Sequence, residues 1–268
     1  MKHDIFFRTH PIFTREELTE HLSSHGNVGS RAQEALLTYY RKTKRLLPIR
    51  RGLYAVVPPG ADPASYPVDP FLVAAKLTRD AVLSHHTALN FHGRAYSVHE
   101  HFTYTAARPL PPINFRTYHF RGVKSSGALL RVGKEQVGVT IADRAGINIR
   151  VTTLERALVD LLHRTTPSGR WEEIWRSLES IEFFDIDQVV EYTLLLGNTT
   201  TASRVGYFLD QHREALMIDD THLQPLHTLR PRQPRYLDRS KRATGRLVCE
   251  WNLVVPKEVA ERSWSEVL

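Results

Sequence analysis

Cysteine is all but missing from this chain. Cys249 stands alone among 268 residues, so no intramolecular disulfide can form and an oxidising compartment is not implied. That residue is expected in a buried strand. No run approaches the roughly 18 apolar residues that a membrane helix needs, and no cleavable apolar segment opens the chain, so a cytoplasmic protein with no membrane partner is expected. Nor does the sequence hold a nucleophile elbow, a Walker loop, a dinucleotide fingerprint or a His-Glu-x-x-His pair. No catalytic residue, metal ligand or cofactor can be named from it, and the chain reads as a non-enzyme. An apolar content of 41% against 24% charged residues excludes global disorder.

Positive charge is what the chain does have. The net charge is +7, and residues 1–57 concentrate it, with ten Lys and Arg against five acids. A polyanion is the natural partner of such a segment, because cations that neutralise phosphates release the counterions condensed on them.

The stretch from Ser30 to Val57 (SRAQEALLTYYRKTKRLLPIRRGLYAVV) organises that charge. Ser30 and Gln33 have the spacing of a capping box and predict a helix start. Ala32, Leu36, Tyr39, Tyr40, Thr43 and Leu47 then recur at helical spacing and predict a core face, leaving Arg31, Glu34, Thr38, Arg41, Lys42 and Arg45 opposite. Pro48 is expected to end the helix. Ile49 to Val57 reads as a hairpin with Arg50 and Arg51 at its tip and Gly52 supplying the freedom a tight turn needs. Upstream, Thr14 and Glu17 make a second capping box for a helix ending near Gly26, Asn27 to Gly29 form the turn, and residues 5–10 are a candidate first helix.

Helix, turn, helix and basic hairpin in this order predict a winged helix-turn-helix. In that motif the second helix enters the major groove by its first turns, which points to Ser30, Arg31, Gln33, Glu34 and Thr38 as base-edge residues. Arg41, Lys42, Lys44 and Arg45 are placed on phosphates, and Arg50 and Arg51 on the backbone or minor groove. The competing reading is a solvated helix face and hairpin tip.

Five prolines between Pro58 and Pro70 predict a semi-rigid linker. The fold class expected is therefore α+β: a winged helix-turn-helix at 1–58, a linker at 59–70 and a larger mixed α/β domain at 71–268. Within the latter, Phe71 to Leu77 predicts a short helix, and Leu83 to Gly93 (LSHHTALNFHG) a second, capped by Ser84. Five of the fourteen histidines lie between His85 and His101, a stretch that invites zinc. His85 and His92, seven apart on one helix face, are too far apart to share an ion, and hydrogen-bonding roles are preferred. Short strands are expected from Phe102 to Val151, with a hairpin loop at Asp143 to Gly146. Thr152 or Thr153 starts a helix on which Arg156 and Asp160 form a surface ion pair. Further helices are expected at Trp171 to Leu178, Asp185 to Leu196 and Thr200 to His212. Asp185-Ile186-Asp187 has the look of a metal-binding carboxylate pair, but no Gly-Ser phosphate turn precedes it and Asp185 reads as a helix cap. Arg230 to Arg246 is a basic, proline-interrupted arm, and Leu247 to Val255 a closing strand.

The winged segment ending IRRGLYAV, DPFLVAAKL at Asp69 to Leu77, LSHHTALNFHG, and VTTLERALVDLL at Val151 to Leu162 together resemble the AbiEi family, the antitoxins of AbiE-type toxin-antitoxin systems. The resemblance covers nearly the whole chain. It implies an autorepressor whose N-terminal winged helix binds inverted repeats of double-stranded DNA in its own promoter. It also implies a C-terminal domain that counters a cognate nucleotidyltransferase-like toxin, directly or functionally, in abortive infection by phage. It carries no catalytic residues. Two other readings stay open: a metal-dependent nucleic-acid enzyme with the histidines and Asp185 or Asp187 as ligands, and an orphan regulator without a toxin.

Overall fold

A computed structural model describes residues 4–24, 29–164, 170–238, 240–241 and 245–264. The helix end expected near Gly26, the turn residues Asn27 and Val28, and Arg239 and Arg242 of the basic arm lie outside these. The described chain is mixed α and β, with three sheets.

It opens with α1 (Asp4–Thr9), β1 (Ile12–Thr14) and α2 (Arg15–Ser24). The Thr14–Glu17 box is formed: Thr14 N donates to Glu17 Oε2 at 2.7 Å, and Glu17 N to Thr14 Oγ1 at 3.2 Å. Next come α3 (Ser30–Lys42), β2 (Leu46–Arg50) and β3 (Leu53–Val56). β2 and β3 form the hairpin, and β1 pairs antiparallel with β3, giving the order β1-β3-β2. β1 escaped the sequence reading because three residues are too short to display alternation.

Three expectations for α3 are corrected. Gly29, not Ser30, is the N-cap, and no side chain caps the helix, because Gln33 is committed to α2. The core face consists of Gln33, Leu37 and Tyr40 with Leu36 half-buried, whereas Ala32 and Tyr39 are exposed. Tyr40 fixes this rotation: its ring meets Phe7 edge-on at 4.8 Å within a cluster that includes Phe6, Phe13 and Leu18. The helix also stops well before Pro48. Lys44 takes a left-handed φ of 56°, and the amides of Lys44 and Arg45 donate back to the carbonyls of Arg41 and Tyr40. This is a Schellman turn with lysine where glycine is usual. Pro48 sits exposed within β2, next to a register shift that accommodates its missing N–H.

Alternation along these strands gives the small sheet two apolar faces. Phe13, Leu46, Tyr54 and Val56 meet the helices α1 to α3, while Ile12, Ile49, Leu53 and Ala55 join the larger core of the following residues. Residues 57–69 form no helix or strand, and the two cores lie back to back across the sheet. Arg50 Nη1 donates to Leu77 O at 3.1 Å, and the Lys76 ammonium pairs with Glu17 across the same junction.

The larger part begins with α4 (Pro70–Ala75), capped by Asp69, then β4 (Val82–Leu83), α5 (His86–Phe91) and β5 (His101–Ala106). After β6 (Ile113–Phe115), β7 (Tyr118–Lys124) and α6 (Gly127–Arg131) come β8 (Val139–Arg144) and β9 (Ile147–Thr152). The resulting six-stranded mixed sheet has the order β6-β7-β5-β4-β9-β8. The β8–β9 turn needs only Ala145 and Gly146, at φ 53° and 78°, the two left-handed residues of a tight hairpin.

Helices α7 (Leu154–His163), α8 (Trp171–Glu179), α9 (Ile186–Leu196), α10 (Thr199–Gln211) and α11 (Asp220–Leu229) follow, burying Leu158, Trp175, Val189 and Phe208. Thr153 caps α7 and Asp185 caps α9, each through its side chain. Then β10 (Arg235–Tyr236), β11 (Gly245–Val248), β12 (Leu253–Pro256) and α12 (Lys257–Ala260) close the fold in a sheet ordered β10-β12-β11.

Several details depart from expectation. Ser84 does not cap α5. The cap position is His85, at φ 55°, and Ser84 Oγ instead meets His85 Nδ1 at 3.0 Å and accepts from Thr105 Oγ1 at 2.8 Å. Arg156 and Asp160 do pair, at 3.4 Å, but inside the protein: Arg156 also donates to the carbonyls of Glu135 and Val137, and Tyr192 donates to Asp160. The closing strand is broken by a 3-10 turn at Cys249–Trp251, which exposes Cys249 and buries Trp251. No helix among the described residues is long and apolar enough to cross a membrane.

Candidate nucleic-acid interface

One face of α3 is built for solvent or for a partner. Ser30, Arg31, Glu34, Thr38, Arg41 and Lys42 are all exposed and follow one another at helical spacing. Lys44, held out by its left-handed backbone, extends the stripe beyond the helix end. The first turn of α3 holds no acid, so its positive dipole end and Arg31 act together. Thr38, Arg41, Lys42 and Lys44 also line a groove of about 670 Å³ together with Asp62 and Pro63.

Three sequence-predicted residues do not join the stripe. Gln33 is only 5% exposed and donates through Nε2 to Arg15 O at 3.2 Å and Thr19 Oγ1 at 2.7 Å, fixing α3 against α2. In this structure it is a packing residue. Arg50 turns back to Leu77, and the Arg45 guanidinium lies over the Tyr40 ring at 5.7 Å. The hairpin tip therefore offers Arg51, which is exposed.

Two residues that the sequence reading did not place on this surface lie on it. Arg15 links the parts: its amide donates to Gly52 O in the hairpin turn at 2.8 Å, and its guanidinium pairs with Glu34 on α3 at 3.2 Å. That pair is surface-exposed and contributes little stability, but it occupies the one acid on the stripe. Tyr39, 60% exposed, adds an aromatic ring among the cations. An arginine directly after a capping threonine carries no functional signal, and Tyr39 has the periodicity of a core residue.

The histidine-rich stretch is dispersed by the fold. His85 is buried beside Ser84, His92 bonds Thr152 O at 2.8 Å, and His101 stacks on His119 at 4.8 Å. Only His86 and His99 converge, and their common partner is Glu173, which no sequence pattern tied to them. Burial would raise the Glu173 carboxyl, but hydrogen bonds from His86 and from the hydroxyl and amide of Ser97 outweigh it and hold the group at about 2. Burial, with His86 alongside, pushes His99 below its ordinary value. Asp185 and Asp187 stay away from this cluster: the first is a cap, the second an exposed α9 residue.

No family model matches the chain, and no curated protein is significantly similar to it. Among solved structures it is similar to the RV2827C protein from Mycobacterium tuberculosis. The TM-score is 0.57 at 18% identity, over 93% of this chain and 87% of that one. A likeness at this identity concerns the fold alone.

Proposed function

We propose that this chain is a DNA-binding autorepressor and antitoxin of the AbiE type. It would read inverted repeats in its own promoter through an N-terminal winged helix-turn-helix, and it is assigned no catalytic activity. The observation that carries the reading is the exposed stripe of α3. Its cations Arg31, Arg41 and Lys42 run along one face, with Lys44 at the end, in a helix–strand–helix–helix–hairpin order whose sheet is β1-β3-β2. Ser30, Arg31 and Thr38 are the base-edge candidates; Arg41, Lys42, Lys44 and Arg51 serve phosphates. Each inverted repeat would take one copy, so two copies occupy an operator. The action is cytoplasmic, at the nucleoid.

The antitoxin role rests on the four sequence motifs that resemble the family. Two of them meet in the larger core, where His92 of LSHHTALNFHG bonds Thr152 of VTTLERALVDLL. This supports a common scaffold for the two motifs. Co-expression tests the role: growth should recover when the chain accompanies a nucleotidyltransferase-like protein encoded beside it. Unrelieved toxicity would leave the orphan-regulator reading in its place. For the repressor role, Arg31→Ala/Arg51→Ala should lose selective binding to the DNA upstream of its own gene while keeping its thermal transition. Unchanged selectivity in that variant would overturn the docking.

A further inference from the structure

We propose that His86, His99 and Glu173 form a binding site for a single zinc-class divalent ion, a role independent of the DNA-facing surface. The three come from separate elements. His86 is the first residue of α5, His99 lies in the segment before β5, and Glu173 is in the first turn of α8. Folding alone brings together residues up to 87 positions apart.

The donors stand close enough together to converge on one ion. His86 Nε2 is 2.8 Å from Glu173 Oε1 and His99 Nε2 is 3.9 Å from the same oxygen, and one ligand atom from each residue lies within 4.8 Å of the others. Bonds of about 2.0–2.1 Å in a tetrahedral zinc site set donors roughly 3.3 Å apart, between the two measured separations. The remaining donor pair, up to 4.8 Å apart, closes by a swing of the His99 side chain of up to about 1.5 Å. Two imidazole nitrogens and one carboxylate are a zinc-type donor set, unlike the all-oxygen shells of calcium and magnesium.

Neighbouring groups hold the carboxylate in place. Ser97 N donates to Glu173 Oε1 at 3.0 Å, Ser97 Oγ to Oε2 at 2.5 Å, and Ser177 Oγ to Oε1 at 3.1 Å. Such hydrogen bonds orient metal-binding carboxylates and are costly to remove. Ser97 Oγ also lies 3.1 Å from His99 Nε2, a contact that the ion would replace. Access is asymmetric. The side chains of His86 and Glu173 are 5% and 11% exposed, whereas that of His99 is 37% exposed. An ion enters from the His99 side, where a water can complete the fourth position. On binding it takes the place of the proton between His86 Nε2 and Glu173, and the neutral imidazole then carries its proton on Nδ1. The ion would tie the segment before β5 to α5 and α8.

The test uses untagged full-length protein, stripped with a chelator and titrated with zinc chloride against a chromophoric competitor. Cobalt(II) absorption provides a second readout. One ion per chain is expected, with the visible bands of four-coordinate cobalt. His99→Ala should bind at least about tenfold more weakly with an unchanged metal-free thermal transition, while His101→Ala, at the neighbouring His101–His119 stack, should bind as the parent does. Should His99→Ala lose its transition, His99→Gln gives the same reading with a polar side chain retained. Failure to bind one equivalent, or equal affinity in the His99 variant, overturns the site.

Discussion

Gln33→Ala separates a packing residue from a base reader. In the folded protein the Gln33 amide makes two hydrogen bonds, to Arg15 O at 3.2 Å and to Thr19 Oγ1 at 2.7 Å. Truncation leaves Arg15 O with the Thr19 hydroxyl, which donates to it at 2.8 Å, but removes a buried donor from Thr19 and opens space between α2 and α3. At about 0.5–1.5 kcal/mol for each hydrogen bond, plus about 0.8 kcal/mol for the lost burial of one methylene, the cost is about 2–4 kcal/mol. For a chain of this size that lowers the melting temperature by roughly 4–15 °C. Thermal unfolding by circular dichroism measures the shift, and fluorescence anisotropy well below the transition measures DNA affinity, which should change less than about threefold. An unchanged melting temperature together with lost operator selectivity would refute the assignment and return Gln33 to the groove.

Two further predictions follow from backbone and burial. Lys44→Gly relieves a left-handed lysine, so it should stabilise the protein by about 0.5–1 kcal/mol. It should also weaken DNA binding and reduce the salt slope by about 0.9; a lower melting temperature would contradict the turn geometry. His85 is held at about 4 by burial, against the attraction of Asp160. A histidine kept neutral in the fold contributes stability that is fully present above its unfolded value of about 6.5 and is lost as pH falls toward 4, about 3 kcal/mol in all and about 2 by pH 5. His99, His163 and His227 shift the same way, while lowered carboxylates such as Glu17 act at lower pH. Denaturant melts between pH 7 and 5 should therefore show falling stability, with a shallower slope in His85→Gln; an equal slope would remove His85 from the titration.

Legibility in the sequence followed the range of the interactions. Capping box Thr14–Glu17, the caps Thr153 and Asp185, and the helices from Trp171 to Gln211 were readable because their signals lie within one or two turns. The exposed cations of α3 were readable for the same reason. What failed depended on distant partners. Ser30 and Gln33 have capping-box spacing, yet α2 captures Gln33. The core face of α3 is set by Phe7 and its neighbours, so periodicity alone rotated it and placed Tyr39 inside. The sequence alone places Arg50 on DNA because Leu77, the residue it bonds, lies beyond the proline-rich stretch. Arg156 and Asp160 carry the spacing of a surface pair, but packing by Tyr192 and the segment at Glu135 buries them. Glu173 could not be joined to His86 and His99 by any local pattern.

The most direct measurement is an anisotropy titration with the DNA upstream of the gene, against scrambled competitor, across a series of salt concentrations. Five exposed cations, Arg31, Arg41, Lys42, Lys44 and Arg51, set an upper limit of about −4.5 for the slope of log affinity against log salt per bound copy. Selective binding is expected, with a slope that falls in magnitude by up to about 1.8 in Arg31→Ala/Arg51→Ala. Equal affinity for scrambled DNA, or an unchanged slope in that variant, would contradict a DNA-reading role for α3 and the hairpin tip.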